Sequence, residues 1–204
     1  MKTVLSLFDH STVMVKPWAE AGYECICVDI LHDGENTDGN ITMVGADILD
    51  YLPPLREYAA VFAPPLCTHL AVSGARWFKG KGLGKLADSI RLFHRAAQIC
   101  EWAGAPYLIE NPVSTISSYW RQPDYTFHPC DYGDAYTKKT CLRTGNGFIM
   151  PDKTPVEPVL GSKMHLLPPS AQRAMLRSET PPGFARAVFE ANSISRQHEL
   201  GEYK

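Results

Sequence analysis

The stretch LSLFDHSTVMVKPWAEAGYECICVDI, residues 5–30, decides the fold. Two short, largely apolar runs bracket it, Val4 to Leu7 and Cys25 to Ile30, each the length of a buried strand. Between them Pro17 supplies the fixed φ of a first helical turn, and Gly22 closes the helix shortly after. A strand, a helix and a strand in so few residues predict parallel neighbours in a sheet covered by helices.

The same alternation continues outward. Thr42 to Gly45 and Ala59 to Ala63 read as further strands. Leu86 to Trp102 reads as a helix with Leu86, Ile90, Phe93, Ala97 and Cys100 on one face. Tyr107 to Glu110 is the next strand. Beyond Pro112 the pattern weakens: Tyr125 to Phe127, Cys141 to Arg143 and Phe148 to Met150 are strand candidates, and residues 151–169, with five prolines, read as a loop or a reduced recognition excursion. The end recovers a helix, with Thr180 as its cap, Pro181 and Pro182 in its first turn, and Phe184, Ala187, Val188 and Ala191 as its stripe.

At 204 residues, 45% apolar and 21% charged, the chain has the balance of an ordinary globular protein, and a single domain over 1–204 is expected. No apolar run approaches a membrane span, and the start MKTVLSLFDHS lacks the unbroken apolar region of a signal peptide, so the expected location is cytoplasmic. The six cysteines include no CxxC pair, so free thiols are expected rather than a disulfide framework. Cys67-Thr-His69 and His128-Pro-Cys130 are the metal-like pairs, but no second matching pair accompanies them and no metal is expected. A net charge of −2 gives no general attraction to polyanions. Local cation clusters do exist: Arg76, Lys79, Lys81 and Lys85 in RWFKGKGLGK, and the pair Lys138 and Lys139. A nucleic-acid contact and a merely solvated loop are both open readings of them.

Ligands of an open α/β sheet bind outside the carboxyl ends of its strands. That rule gathers Phe8 to Ser11, Asp29, Asp47, Pro64 to His69 and Glu110 to Pro112 onto one rim. Asp29 and Asp47 suit the hydroxyls of a ribose and the amine edge of an adenine; taken singly, each also suits a strand-ending turn.

In order and content these segments resemble the DNA cytosine-C5 methyltransferases, most closely the short, phage-type members that lack a large target-recognition domain. Residues 5–30 resemble that family's first strand, cofactor loop, helix and second strand, with Phe8, Ala21, Gly22 and Asp29 at matching places. GADILDYLP is similar to the third-strand segment, PPLCTHLAVSGARWFKGKG to the nucleophile segment with its mobile loop, and LIENP to the glutamate motif. DYGDAYTKKT resembles the stretch supporting the target base, and SETPPGFARAVFEAN the last helix, which completes the cofactor pocket. The resemblance implies a Rossmann-like S-adenosylmethionine-dependent methyltransferase fold, α/β, mostly parallel, with helices on both faces. It implies Phe8, Asp9, Ser11, Asp29, Ile30, Asp47, Ile48 and Pro65 around the cofactor, and Cys67, Glu110 and Lys138 as catalytic residues. DNA is the implied partner, met by Arg76, Lys79, Lys81, Lys85, Lys139 and Arg143.

Three departures stand out. The cofactor loop reads Asp9-His10-Ser11-Thr12-Val13, without glycine. The prolines before Cys67 are displaced by one residue. Lys138 and Thr140 stand where the family tends to carry arginines, and Thr140 cannot supply that charge, which leaves Arg143 as another source.

Cytosine C5 is a weak nucleophile, and the family's solution is to add a thiolate at C6. Cys67 is the implied thiol, its pKa lowered by Arg76 or the basic loop. Glu110, directed by Asn111 and Pro112, engages the exocyclic amine and N3. The loop from Arg76 to Lys85 closes over a base drawn from the stack. Only about 30 residues separate Phe148 from the last helix, so base specificity is expected to be short, relaxed or supplied by a partner, with self-association open. A host cell under phage infection, and evasion of restriction, are the setting the resemblance implies. A methyltransferase for RNA or a free cytosine nucleotide, a non-catalytic nucleic-acid-binding relative, and a Cys/His hydrolase dyad are the competing readings.

Overall fold

A computed structural model of the chain describes residues 2–168, 170 and 173–193. Among them are eight strands: β1 (Thr3–Leu7), β2 (Glu24–Asp29), β3 (Glu35–Asp38), β4 (Ile41–Gly45), β5 (Tyr58–Ala63), β6 (Tyr107–Pro112), β7 (Tyr125–Phe127) and β8 (Thr140–Gly145). The helices are α1 (Lys16–Glu20), α2 (Phe78–Ala103), α3 (Lys163–Leu166), α4 (Arg173–Ser178) and α5 (Pro182–Asn192). One sheet takes all eight strands in the order β3-β4-β2-β1-β5-β6-β8-β7. The five strands from β4 to β6 run parallel, and antiparallel pairs flank them on both sides. Strand order reverses between β1 and β5, the topological switch point where such sheets hold ligands. The fold is Rossmann-like and mostly parallel, as the sequence predicts.

Helices cover both faces, which is why β1 and β5 are continuous buried runs rather than alternating ones. Leu5, Leu7, Ile26, Val28, Val61 and Ile109 pack with Phe93, Ala96, Ile99 and Cys100 of α2. Val4, Cys25, Cys27, Phe62, Leu108 and Leu142 pack instead with Trp18 of α1 and with Phe184, Ala185 and Val188 of α5. Fully burying one such side chain contributes about 1.5–3 kcal/mol, so these two layers dominate the stability. Trp18 is wholly buried and meets Tyr23 and Phe189 edge-on, with ring centroids 5.1 and 5.2 Å away. Among the described residues no helix is long and apolar enough to cross a membrane.

Four local expectations are corrected. The Glu35–Asp38 strand is unforeseen because an exposed edge strand carries polar residues that discourage further pairing. Phe148 to Met150 is not a strand: the Asn192 side chain donates to the Ile149 carbonyl and accepts from its N–H, both at 2.8 Å, and so occupies the place of a strand neighbour. Thr180 does not cap α5. Pro181 holds the N-cap position, and Asp134 accepts from the Gly183 N–H at 2.9 Å. Gly183 is required there, since a Cβ would lie 1.9 Å from the Tyr132 carbonyl oxygen.

The fourth concerns the expected loop from Arg76 to Lys85. It is helical: a 3-10 turn over Val72–Trp77 leads straight into α2, which breaks only at Gly82 (φ 76°, ψ 174°). Within 151–168, Thr154 and Val156 donate backbone hydrogen bonds to Asp131 and Cys130, and α3 follows; Pro169 lies outside the described residues.

Candidate active site

Cys67 sits four residues beyond β5, in a turn whose geometry follows from the chain's own hydrogen bonds. Its carbonyl accepts from the N–H groups of Leu70 and Ala71, each at 2.9 Å. The turn is tied to the segment after β6 by Val72 N–H to the Val113 carbonyl, by Thr115 N–H to the Leu70 carbonyl, and by a bridge between Ala71 and Ser114. Two parallel strands are thus joined again beyond their ends, which holds the thiol over the strand that carries Glu110.

Lys138 reaches the same place from the other side. Antiparallel pairing sets Glu110 opposite Leu142 and Pro112 opposite Thr140, so the residues just before β8 overhang the carboxyl end of β6. Lys138 Nζ lies 3.8 Å from Glu110 Oε1, with both side chains about four-fifths buried. That Glu110 oxygen has no hydrogen-bond partner among the described residues, which leaves it open to a donor from a ligand. Asn111 does not direct Glu110: it is fully buried and neither of its side-chain polar atoms is paired among the described residues.

The Cys67 thiol is pushed above its usual range, first by burial and then by the negative charge of Glu110; Lys138 and Arg177 oppose this. The expectation that Arg76 or the basic segment would lower it is therefore corrected. The cations that act come from β8's approach and from α4. No spacing signal in the sequence joins Arg177 to Cys67. No hydrogen bond links Cys67 to His69 among the described residues, and His69 is held below its usual pKa by desolvation and by Lys81 and Lys85, so the hydrolase dyad finds no support. All six cysteines are free. Among the described residues no group of three or more His, Cys, Asp or Glu side chains is placed to hold a metal ion.

The loop after β1 keeps a glycine-type backbone without glycine. Phe8 and Thr12 have φ of 56° and 60°, a region costly for residues with a Cβ. Asp9 turns inward and is buried; its carboxylate accepts from Ser6 Oγ at 2.8 Å, Ser11 Oγ at 3.1 Å and the Thr12 N–H at 2.7 Å. Burial outweighs these bonds and raises its pKa.

For S-adenosylmethionine, the group the resemblance implies, the fit is clear at one end. Asp29 and Asp47 end or follow adjacent parallel strands, the carboxylate of each accepting only one local backbone N–H among the described residues, from Leu31 and Leu49, and Ile30 is 70% exposed beside them. These suit ribose hydroxyls, an amine edge and an apolar ring face. Ile48 is instead buried in the α2-side core, and Pro65 is buried as well. At the other end, Ser6, Asp9, Met14, Phe62, Glu110 and Lys138 line a cleft of about 20 Å³ closed by Ser178 to Pro181. That is room for about one water. The methionine part of the cofactor is larger than that space.

Of the expected nucleic-acid contacts, Arg76, Lys79, Lys85 and Lys139 are exposed. Lys81 is half-buried and donates to the Thr68 carbonyl at 2.7 Å. Arg143 is a correction. Its register opposite Ile109 sends the guanidinium under α2, where it is 1% exposed, donates to the Arg121 carbonyl and Ser117 Oγ at 2.8 Å each, and lies 5.6 Å over the Phe93 ring.

No family model matches the chain. No curated protein matches it either. Among solved structures it is similar to the glycopeptide N-methyltransferase MtfA, with 13% identity and a TM-score of 0.31 over 71% of this chain and 65% of that one. The chain thus spans a little under two thirds of that structure's length, and the likeness adds nothing to what the strand order itself gives.

Proposed function

We propose that this protein transfers a methyl group from S-adenosylmethionine to C5 of cytosine in DNA, through a covalent bond between Cys67 and C6. The observation that carries the reading is the meeting of a thiol, a carboxylate with an open oxygen and a lysine at the carboxyl ends of β5 and β6, drawn from three separate segments.

The electrostatics suggest an order of events. Burial first, and then the negative charge of Glu110, hold the Cys67 thiol above its usual pKa. When the carboxylate accepts from the exocyclic amine, its negative charge is spent on the base, and the proton that leaves the Cys67 thiol passes through it to cytosine N3, so the thiolate becomes easier to form. Its sulfur then bonds to C6 and the ring's electron density moves to C5. The cofactor, when bound, supplies the methyl group that C5 takes. Loss of the C5 proton restores the double bond and releases the sulfur. Lys138 keeps Glu110 in place and offsets part of its charge throughout.

The test is transfer of tritium from methyl-labelled S-adenosylmethionine to cytosine-containing DNA, RNA and free cytidine nucleotide, side by side. DNA is expected to be labelled and Cys67→Ser to abolish labelling. Transfer that survives in the mutant would sink the assignment of the nucleophile. Labelling of RNA or nucleotide alone would move the substrate.

A further inference from the structure

The segment that follows the nucleophile carries more than cations. Val72, Trp77 and Leu83 are 48%, 60% and 84% exposed, among Arg76, Lys79, Lys81 and Lys85, and Leu66, just before the nucleophile, is 51% exposed. Single exposed apolar side chains are ordinary on a protein surface, but an open indole set among four cations matches the platforms on which single-stranded bases stack. Lys81, by its bond to the Thr68 carbonyl, fastens this segment one residue from Cys67. Arg76 stacks its guanidinium 5.0 Å from the centre of the Trp77 ring.

We infer that Trp77 stacks a nucleic-acid base, and that this surface accepts an unstacked, single-stranded stretch in preference to an intact duplex. Four cations alone would suit either form, since both present phosphates. The apolar residues separate them. A duplex hides its base faces and offers an exposed indole and leucines nothing to cover, whereas a single strand offers a π-face at every base. Stacking on an indole already backed by a guanidinium gives a cation–ring–base sandwich whose attraction does not depend on sequence. This deepens the proposed function, resting on it for the chemistry of the occupant.

The test uses the full chain without cofactor, so that it reads binding and not transfer. A short cytosine-containing oligodeoxynucleotide, its duplex and anionic phosphatidylglycerol vesicles are titrated against tryptophan emission and anisotropy. The single strand is expected to bind more tightly than the duplex and to quench emission. Trp77→Ala is expected to weaken single-strand binding roughly 5- to 150-fold, the equivalent of one lost stack, with Trp77→Phe between the two and the salt dependence unchanged. Lys79→Ala and Lys85→Ala should instead each flatten the salt dependence. Equal or tighter duplex binding, an unaltered affinity in Trp77→Ala, or binding to vesicles alone would each overturn the inference. Trp77-dependent single-strand binding without any methyl transfer would uphold it and remove the proposed function. Transfer to duplex that ignores Trp77 would do the reverse.

Discussion

Thr12 offers the sharpest test of how the cofactor loop is built. It holds φ of 60° with a β-branched side chain, a conformation that costs about 1–2 kcal/mol relative to glycine. Its loop hydrogen bond to Asp9 comes from the backbone N–H and survives any substitution but proline. Thr12→Gly therefore relieves the strain and keeps the bond. Against this stands the greater freedom of glycine in the unfolded chain, about 0.5–1 kcal/mol. The balance is a gain of up to about 1.5 kcal/mol, or a rise in Tm of up to roughly 6 °C for a chain of this size. Urea and thermal unfolding followed by circular dichroism would measure it, with Gly22→Ala, at φ of 87°, as the opposing control expected to lose about 1 kcal/mol or more. A loss of about 0.5 kcal/mol or more in Thr12→Gly, the result for a glycine at an ordinary position, would refute the reasoning. Phe8 is no substitute, because it packs against the core and its removal would cost apolar contacts as well.

Asp9→Asn should stabilise the protein near pH 7, since an asparagine keeps acceptor and donor for Thr12 and Ser6 and removes a buried charge. Because the folded-state pKa is raised, the penalty of Asp9 appears as pH rises through the unfolded value, about 3.9, and grows up to the folded one; the advantage of asparagine, read by urea unfolding across pH, should fade toward pH 3. Alkylation of Cys67 by iodoacetamide, resolved by peptide mass spectrometry, should have its midpoint above the usual thiol range, moved down in Glu110→Gln and up in Lys138→Ala. Arg143→Met should lose about 1–3 kcal/mol in urea unfolding by leaving two half-buried acceptors without their donor, and should leave the salt dependence of oligonucleotide binding as it was.

The central strands were legible because burial on both faces writes itself as unbroken apolar runs, and strand ends could then be grouped into a rim without knowing a single contact. Cys67 and Glu110 were found that way. Polar and proline-bounded features were not. Glu35 to Asp38 forms a strand for lack of competition at an edge, not through propensity. Arg143 reads as a surface cation until its register with Ile109 is known. Arg177 and Ser178 approach the site across more than a hundred residues of chain, a relation carried by packing alone.

Lys138 and the wall from Ser178 to Pro181 come from the last third of the chain, whereas Cys67 and Glu110 lie within its first 110 residues. On the ribosome the thiol and carboxylate are therefore made first, and the lysine that pairs with Glu110 and the residues that complete the cleft beside it follow. A nascent chain halted after β6 carries both groups on a sheet edge that β8 has not yet covered. The cleft at Glu110 is complete only when the residues from Lys138 to Phe184 have been made and packed.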